Sequence, residues 1–299
     1  MPGKRSLIIT LAETITGILL VTIVSYLAAR KALGNPFAGL GADMGLDPQT
    51  IQAISQAYGL NMSIARGALR FAAGLVEGNT GPSLTYGMSA YRLSVQLLPW
   101  TLAPILAGVG LSFAAAILWV LLVGFEAPRP LRAASFVPGY FYAVLAIILA
   151  WRLGVPSPLP GHPPGKTLVY TLIIWLAVFP RLLHGLLGLM EEPRLELKDH
   201  IHALRAIGLP EWKVRLRAVQ VLLSSFNAYT LTLTGMIIER SAIIEPILNY
   251  TGIGYLLYHA VVEGDPILAA TSFALIGIAG YIAAGAGRAL GWEPRSRSQ

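Results

Sequence analysis

Residues 93–125, LSVQLLPWTLAPILAGVGLSFAAAILWVLLVGF, decide the fold because these 33 consecutive residues contain no Asp, Glu, Lys or Arg. A helix needs about 20 mostly apolar residues to cross the ~30 Å hydrocarbon core of a membrane. The rest of the chain agrees, since 55% of its 299 residues are hydrophobic and 12% are charged, whereas soluble domains have about 25% charged residues.

This composition excludes a disordered chain, a coiled coil and an ordinary soluble domain. With no cysteine, it also excludes a disulfide scaffold. The sequence predicts an integral membrane protein.

Further stretches with few or no charges predict five more membrane-spanning helices, which makes six in all. In chain order they are 14–29, 133–151, 167–190, 218–238 and 266–287. Pro180 and Arg181 interrupt the fourth span, and Glu13 stands at the start of the first. Basic pairs at 4–5 and 30–31 flank the first run and favour a membrane anchor over a cleaved signal peptide. We therefore expect an all-α polytopic fold.

The distribution of Lys and Arg predicts the orientation, because cytoplasmic loops carry an excess of these residues. With the N-terminus inside, 14 of the 22 basic side chains fall on the inner side and 8 on the outer side. Both termini are then cytoplasmic. We divide the chain into the N-terminus with the first span (1–31), an extracellular loop with short surface helices (32–92) and a core with the other five spans (93–299). Within the core, loop 191–217 is cytoplasmic, and loop 239–265, with one Arg and four acids, is extracellular.

The sequence contains no motif for nucleotide binding, metal binding or covalent catalysis. Residues 161–167, GHPPGKT, place three residues between the glycines where a phosphate loop has four. Two of the three are prolines, which have no amide hydrogen to offer a phosphate. His200 and His202 are two residues apart and point to different sides of a helix, so they cannot share a metal on one face. We expect no enzymatic activity, no metal and no cofactor in this chain, and no nucleic-acid partner.

Polar side chains inside the predicted spans mark a second set of candidates. The fifth span carries seven of them, at 224, 225, 227, 229, 230, 232 and 234. Polar groups in a membrane either line a wet cavity or hydrogen-bond between packed helices, and both interpretations remain open here. As candidates for a translocation path we take Ser224, Asn227, Thr230 and Thr234. Glu13 is either part of an ion relay or an interfacial, paired glutamate.

The predicted cytoplasmic loop contains the most specific pattern in the chain. Residues 199–217, DHIHALRAIGLPEWKVRLR, predict a helix, a break and a second helix. Leu197, Ile201 and Leu204 form one apolar stripe. A glycine at 208 stops the first helix, and the proline at 210 starts the next in its favoured first turn. Such an amphipathic helix is either a docking element for a soluble partner or a membrane-surface helix without a partner.

This loop resembles the EAA loop of the permease subunits of bacterial and archaeal ABC importers. In the peptide importers an acid is followed by Ala-Arg-Ala-Lys-Gly-Leu and then a basic stretch. Here LRAIGL at 204–209 matches four of those six residues, with Leu204 and Ile207 in place of the first Ala and the Lys. The ATPase-docking residues that the resemblance implies are Asp199, Arg205, Ala206, Gly208, Leu209 and Trp212.

Other stretches resemble the dipeptide, oligopeptide and nickel permeases of the first-subunit type. NPF at 35–37 occupies the place of a Gly-Asp-Pro element, and EGNTGPSL at 77–84 resembles Gly-Asp-x-Gly-x-Ser and leads into LLPWTL at 97–102. EPILNYTGIGYL at 245–256 resembles an element ending in Pro-Gly-Leu-Gly-x-Leu, with Thr in place of the Pro. Asp265-Pro266 matches an Asp-x-Pro element that is one residue longer. The outer-loop residues that this resemblance implies are Glu245, Gly252 and Gly254.

The resemblance implies a type I ABC importer permease fold in a prokaryotic cell membrane. The chain would form half of the translocation pathway for di- or oligopeptides, beside a second homologous permease subunit. An extracellular substrate-binding protein would deliver the peptide. Two cytoplasmic ATPases, which hold the ATP and Mg, would dock on the inner loop, where Arg205 pairs with an acid of the ATPase or of its own loop. The alternative function is an ion-coupled secondary transporter, which buried carboxylates in several spans would favour.

Overall fold

A computed structural model describes residues 4–34, 47–57, 61–153, 160–190 and 197–289. Every regular element in these ranges is an α-helix, as the sequence predicts. In chain order the helices are α1 (Lys4–Leu33), α2 (Pro48–Ala57), α3 (Ile64–Glu77), α4 (Ala90–Leu122), α5 (Arg129–Ala134), α6 (Gly139–Arg152), α7 (Pro164–Met190), α8 (Leu197–Ala206), α9 (Glu211–Leu248), α10 (Ile253–Val262) and α11 (Pro266–Ala289).

Five of the described helices, α1, α4, α7, α9 and α11, are long and apolar enough to cross a membrane. The shortest, α11, has 24 residues, which corresponds to about 36 Å at 1.5 Å per residue. Large apolar side chains are exposed along the outward faces of these helices, for example Leu11, Leu106 and Leu118. Such faces are stable in lipid and costly in water. The chain is a multi-pass membrane protein.

The predicted third span, 133–151, is not one helix. It falls across a break between α5 and α6, and α6 has only 14 residues, or about 21 Å. Pro138 stands at the break with ψ 141° and caps α6. A proline disfavours the helical conformation of the residue before it, so the first helix stops and a new one starts at Gly139.

The predicted fifth span, 218–238, is shorter than the helix that contains it. Helix α9 has 38 residues and ends where Asn249 adopts a left-handed conformation, with φ 52°. Ten residues that we had placed in the extracellular loop therefore lie in the helix, including Glu239 and Arg240. The prediction stopped at residue 238 because it relied on the absence of charge. The fourth predicted span is a single helix, α7, in spite of Pro180.

Glycine contacts show the relative direction of the long helices. Gly285 of α11 lies against Thr14 of α1 and Gly277 lies against Val21, so these two helices are antiparallel. Gly108 of α4 lies against Ile174 of α7, and further along, the Ser112 hydroxyl donates to the Trp175 carbonyl. Helices α4 and α7 are therefore parallel. Small residues at such contacts let helix backbones approach closely in membranes.

The bundle has two ends, which we name after the short helices found there. At the α8 end, the Arg215 guanidinium near the start of α9 donates to the carbonyls of Leu121 and Leu122 at the end of α4. At the α10 end, the Tyr250 hydroxyl after α9 donates to the Trp100 carbonyl of α4. Helices α4, α7 and α11 start at the α10 end, and α1 and α9 start at the α8 end. Because α4 and α7 share a direction, the segment between them returns the chain to the α10 end.

The two short helices expected in segment 32–92 are present as α2 and α3. Phe71 of α3 is buried and its ring centroid lies 5.3 Å from that of Tyr26 in α1. The larger apolar core lies between α4, α7 and α9, where the rings of Phe113 and Phe226 stack at 4.7 Å. This core fixes α9 beneath the short helix α8.

Candidate functional site

Helix α8 lies against the bundle with one face and exposes the other. Leu197 and Ile201 are buried, and Leu204 packs against the same core. These three positions are the apolar stripe that the sequence predicts. His200, His202 and the other side chains described on the opposite face are exposed. The helix is thus attached through its stripe, and a polar surface remains open.

The chain reverses direction after α8 through Gly208. Its φ of +76° lies in the left-handed region, where a residue without a Cβ is favoured. The N–H of Gly208 donates to the Arg205 carbonyl at 3.0 Å, and the N–H of Leu209 donates to the Leu204 carbonyl at 3.3 Å. Pro210 then caps α9. The predicted helix, break and helix are all present.

A fork-shaped ion pair closes this turn. The Arg205 Nη2 lies 2.6 Å from Glu211 Oε1, and Nε lies 3.1 Å from Oε2. The hydrogen bond to Glu211 raises the pKa of Arg205 above its usual value. Two parallel charge-assisted bonds fix geometry as well as charge. The resemblance implied that Arg205 pairs with an acid either of the ATPase or of its own loop. In the described structure its partner is Glu211, an acid of its own loop.

The tip of the turn presents apolar side chains to the surroundings. Ile207 is 73% exposed and Trp212 is 60% exposed. Their neighbours Ala206 and Gly208 are exposed too, and Leu209 is half-buried. We call residues 205–212 the docking turn. Of the predicted docking residues, five lie in it, and the sixth, Asp199, is exposed in the first turn of α8. A rigid, apolar tip with charged flanks suits insertion into a groove of a soluble partner.

The predicted outer-loop residues meet around a buried carboxylate at the α10 end. Glu245 is fully buried, and its Oε2 accepts the N–H groups of Gly254 at 2.8 Å and Tyr255 at 3.1 Å. Its Oε1 accepts the Tyr170 hydroxyl at 3.3 Å. The first backbone N–H groups of any α-helix have no acceptor within the helix. The Glu245 carboxylate accepts two such groups at the start of α10.

Both predicted glycines are needed for this close packing. A Cβ on Gly252 would collide with the Glu245 carboxylate and with the Thr101 hydroxyl. A Cβ on Gly254 would collide with the Ser241 carbonyl. The Thr101 hydroxyl also accepts the Ile253 N–H at 2.9 Å. Stretch 97–102, singled out for its resemblance, thus contacts stretch 245–256.

A second buried carboxylate, Asp265, joins the other two stretches. Its Oδ2 accepts the Ser83 hydroxyl at 2.5 Å and the N–H groups of Leu84 at 2.7 Å and Thr85 at 3.2 Å. Its Oδ1 accepts the Leu268 N–H at 2.9 Å, which caps α11. The candidate residues predicted from the sequence do not include Asp265 or Thr101, although both lie in stretches that carry the resemblance. The NPF element at 35–37 lies outside the described residues.

The candidate path residues do not share one environment. Ser224 is exposed and Asn227 is half-buried, whereas Thr230 and Thr234 are buried. The Thr230 hydroxyl donates to the Phe226 carbonyl, and the Thr234 hydroxyl donates to the Thr230 carbonyl, each at 2.8 Å. Both are therefore satisfied within α9, which fits the packing interpretation. The assignment of all four to a translocation path stays a prediction.

Arg181, which we treated as an interruption of a span, bridges the break between α5 and α6. Its Nε donates to the Ser135 carbonyl at 2.9 Å and its Nη2 to the Val137 carbonyl at 2.6 Å. Its Nη1 donates to the Ala177 carbonyl at 3.3 Å. Backbone carbonyls freed by a helix break need donors in a membrane, and one guanidinium supplies them. The sequence signal for this role was a single arginine next to Pro180 within an otherwise uncharged predicted span.

Glu13 is exposed on α1 beside an open groove that Tyr281 and Arg288 of α11 also line. In the described part of the chain, no three His, Asp or Glu side chains converge as a metal site would require. Glu239 and Arg240 are exposed within α9, and sequence reasoning missed both because it ended the helix before them.

Comparisons with known proteins agree with the resemblance drawn from the loop. No family model matches the chain. The chain is 26% identical over 282 residues to the oligopeptide transport system permease protein OppB of Escherichia coli K12, which covers 89% of each chain. The protein of the same name from Salmonella typhimurium LT2 is 24% identical over the same length. The expected similarity to peptide-importer permeases is confirmed.

Proposed function

We propose that this chain, a relative of the oligopeptide permeases along most of its length, is the permease subunit of an ABC importer for di- and oligopeptides. The observation that carries the proposal is similarity over 89% of both chains to proteins named as oligopeptide transport permeases. The comparison does not favour an ion-coupled transporter. The two buried carboxylates, Glu245 and Asp265, do not favour one either, because backbone N–H groups donate to both.

The proposal includes six membrane crossings with both termini in the cytoplasm, in a type I importer permease fold. The shared direction of α4 and α7 supports the sixth crossing, because the segment with α5 and α6 must return the chain between them. The excess of Lys and Arg at the α8 end supports its cytoplasmic location.

In this function the docking turn transmits force from two cytoplasmic ATPases, which carry the ATP and Mg while this subunit holds no cofactor. The exposed tip at Ile207 and Trp212 and the ion pair that braces it support this role. The α10 end would meet an extracellular substrate-binding protein. A second homologous permease subunit would complete the pathway along α9, where Ser224 is exposed and Asn227 is half-buried.

The test is purification of the detergent-solubilised protein from its native membrane, with ATPase activity measured in the eluate. We expect co-eluting ATPase activity in the wild type, and peptide uptake once the complex is in vesicles with its binding protein. Gly208→Asp and Arg205→Glu should uncouple hydrolysis from uptake while the chain still inserts. The double variant Arg205→Glu/Glu211→Arg should recover part of the coupling, because it restores the pair that braces the turn.

Arg129→Glu is the matched control, since this exposed arginine lies at the same end of the bundle but outside the docking turn. The docking assignment is wrong if both single variants transport normally. The importer function itself is wrong if the wild-type protein elutes alone and shows ion-dependent uptake.

A further inference from the structure

Two adjacent charged side chains lie deep in the membrane on α9. Glu239 and Arg240 are both exposed on the surface of the chain. Gly280 of α11 lies against the Glu239 side chain. Gly280 follows the first residue of α11 by 14 positions, or about 21 Å of a helix about 36 Å long. Because α11 is long enough to cross the membrane, the Glu239 side chain lies within the part of the bundle that the hydrocarbon core surrounds.

This face of α9 is unsuited to lipid contact. Charged side chains at the centre of a bilayer are costly and in membrane proteins face a bundle interior or a water-filled cavity. No ion pair in the described ranges includes Glu239 or Arg240. Two apolar side chains on the same helix, Met236 and Ile243, are about half exposed. The face therefore combines charge with apolar surface, as a passage for amphipathic cargo would.

The positive charge near Arg240 comes from Arg181, while the adjacent Glu239 side chain lies against Gly280 of α11. Arg181 lies close enough for the two positive charges to interact. The guanidinium of Arg181 is occupied by the carbonyls of Ser135, Val137 and Ala177. The guanidinium of Arg240, with no ion-pair partner among the described residues, keeps its fork of donors for a ligand, and a fork of this shape matches a carboxylate.

We propose that Arg240 transiently binds the C-terminal carboxylate of the cargo peptide as it crosses the membrane. The inference rests on the proposed importer function and adds a residue to it. The terminal carboxylate is common to all peptides, so binding there would admit cargo of many sequences. An exposed guanidinium binds more weakly than a buried one, because water competes for it, and this suits a step that must also release the peptide.

The experiment uses the complete complex in vesicles with its binding protein. Uptake is measured for a tripeptide and for its C-terminal amide, chosen so that the binding protein captures both, and each rate is corrected for the affinity of that capture. Arg240→Gln should lower uptake of the free peptide about tenfold, which corresponds to the loss of one hydrogen bond to a charged group, and leave uptake of the amide unchanged. Arg240→Lys should lower free-peptide uptake by about threefold, since it keeps the charge but loses the fork.

Arg152→Gln is the control, because this arginine is exposed at the far end of α6, next to Trp151. It should change neither rate. An equal loss for both peptides with Arg240→Gln and Arg240→Lys would overturn the inference and assign Arg240 to subunit contact instead. Unchanged uptake in both variants would overturn it as well. Absence of ATP-dependent peptide uptake by the wild type would instead reject the importer function, so the two failures are distinguishable.

Discussion

At the scale of single residues, the two buried carboxylates of the α10 end differ in what surrounds them. Both oxygens of Asp265 face donors, with the Leu268 N–H on one side and Ser83, Leu84 and Thr85 on the other. In Glu245, Oε2 faces two backbone N–H groups, and the Thr101 hydroxyl also donates to the carboxylate. Its Oε1 faces the Tyr170 hydroxyl, which can also accept a hydrogen bond. The same amide substitution therefore has different consequences at the two sites.

We expect Asp265→Asn to destabilise the protein by about 1–3 kcal/mol, because its amide group must face a donor and leaves it unpaired. Glu245→Gln should cost less, since its amide can donate to Tyr170. Glu245→Leu should cost more than Glu245→Gln, because two N–H groups then lose their acceptor. Thermal unfolding in one detergent gives the order. Equal losses for Glu245→Gln and Asp265→Asn would contradict these hydrogen-bond assignments.

At the scale of elements, the break between α5 and α6 depends on a residue from another helix. Arg181 reaches from α7 to the Ser135 and Val137 carbonyls. Arg181→Lys keeps the charge but cannot donate along two separate directions from a planar fork. We expect a loss of about 1.5–3 kcal/mol, the range for a hydrogen bond to a charged group, seen as a lower Tm in detergent. The exposed Arg152→Lys in α6 is the matched control, and an equal shift in both variants would contradict the bridging role.

The docking turn was predictable because its signals are local. The stripe of α8, the left-handed Gly208 and the cap at Pro210 all lie within a few residues of one another. Partners far apart in sequence were not predictable, and Ser83 and Asp265, which are 182 residues apart, are an example. The stretches that resemble the peptide permeases occur in the expected order along the chain. That order does not indicate which of the stretches contact one another in the folded protein.

The ends of the long helices were predictable only where a charged residue stands just beyond the end of the helix. Runs without charge located α4 and α11 correctly, since lipid excludes charged groups from both. The same rule ended α9 too early, because the charged residues Glu239 and Arg240 lie inside the helix. It also joined α5 and α6 into one span, because apolar composition does not reveal a break whose carbonyls are satisfied by Arg181.

At the scale of the whole molecule, the directions of the long helices bear on how many times the chain crosses the membrane. Helices α4, α7 and α11 start at the α10 end, and α1 and α9 start at the α8 end. Five crossings alone would leave α4 and α7 in the same direction with nothing to reverse the chain. We therefore expect the segment with α5 and α6 to cross as a broken sixth span. At the junction of its two helices stands Pro138, and the Arg181 side chain of α7 donates to the Val137 carbonyl there.

Cysteine labelling tests this topology directly, because the chain has no cysteine of its own. Four exposed positions serve as reporters: Glu126 and Ile207 at the α8 end, and Met88 and Gly165 at the α10 end. In intact cells, a membrane-impermeant maleimide should label Met88→Cys and Gly165→Cys. It should label Glu126→Cys and Ile207→Cys only after the membrane is opened. Labelling of Glu126→Cys and Gly165→Cys from the same side would show that the α5–α6 segment does not cross. A fully inverted pattern would keep six crossings but place the docking turn outside, where no cytoplasmic ATPase could reach it.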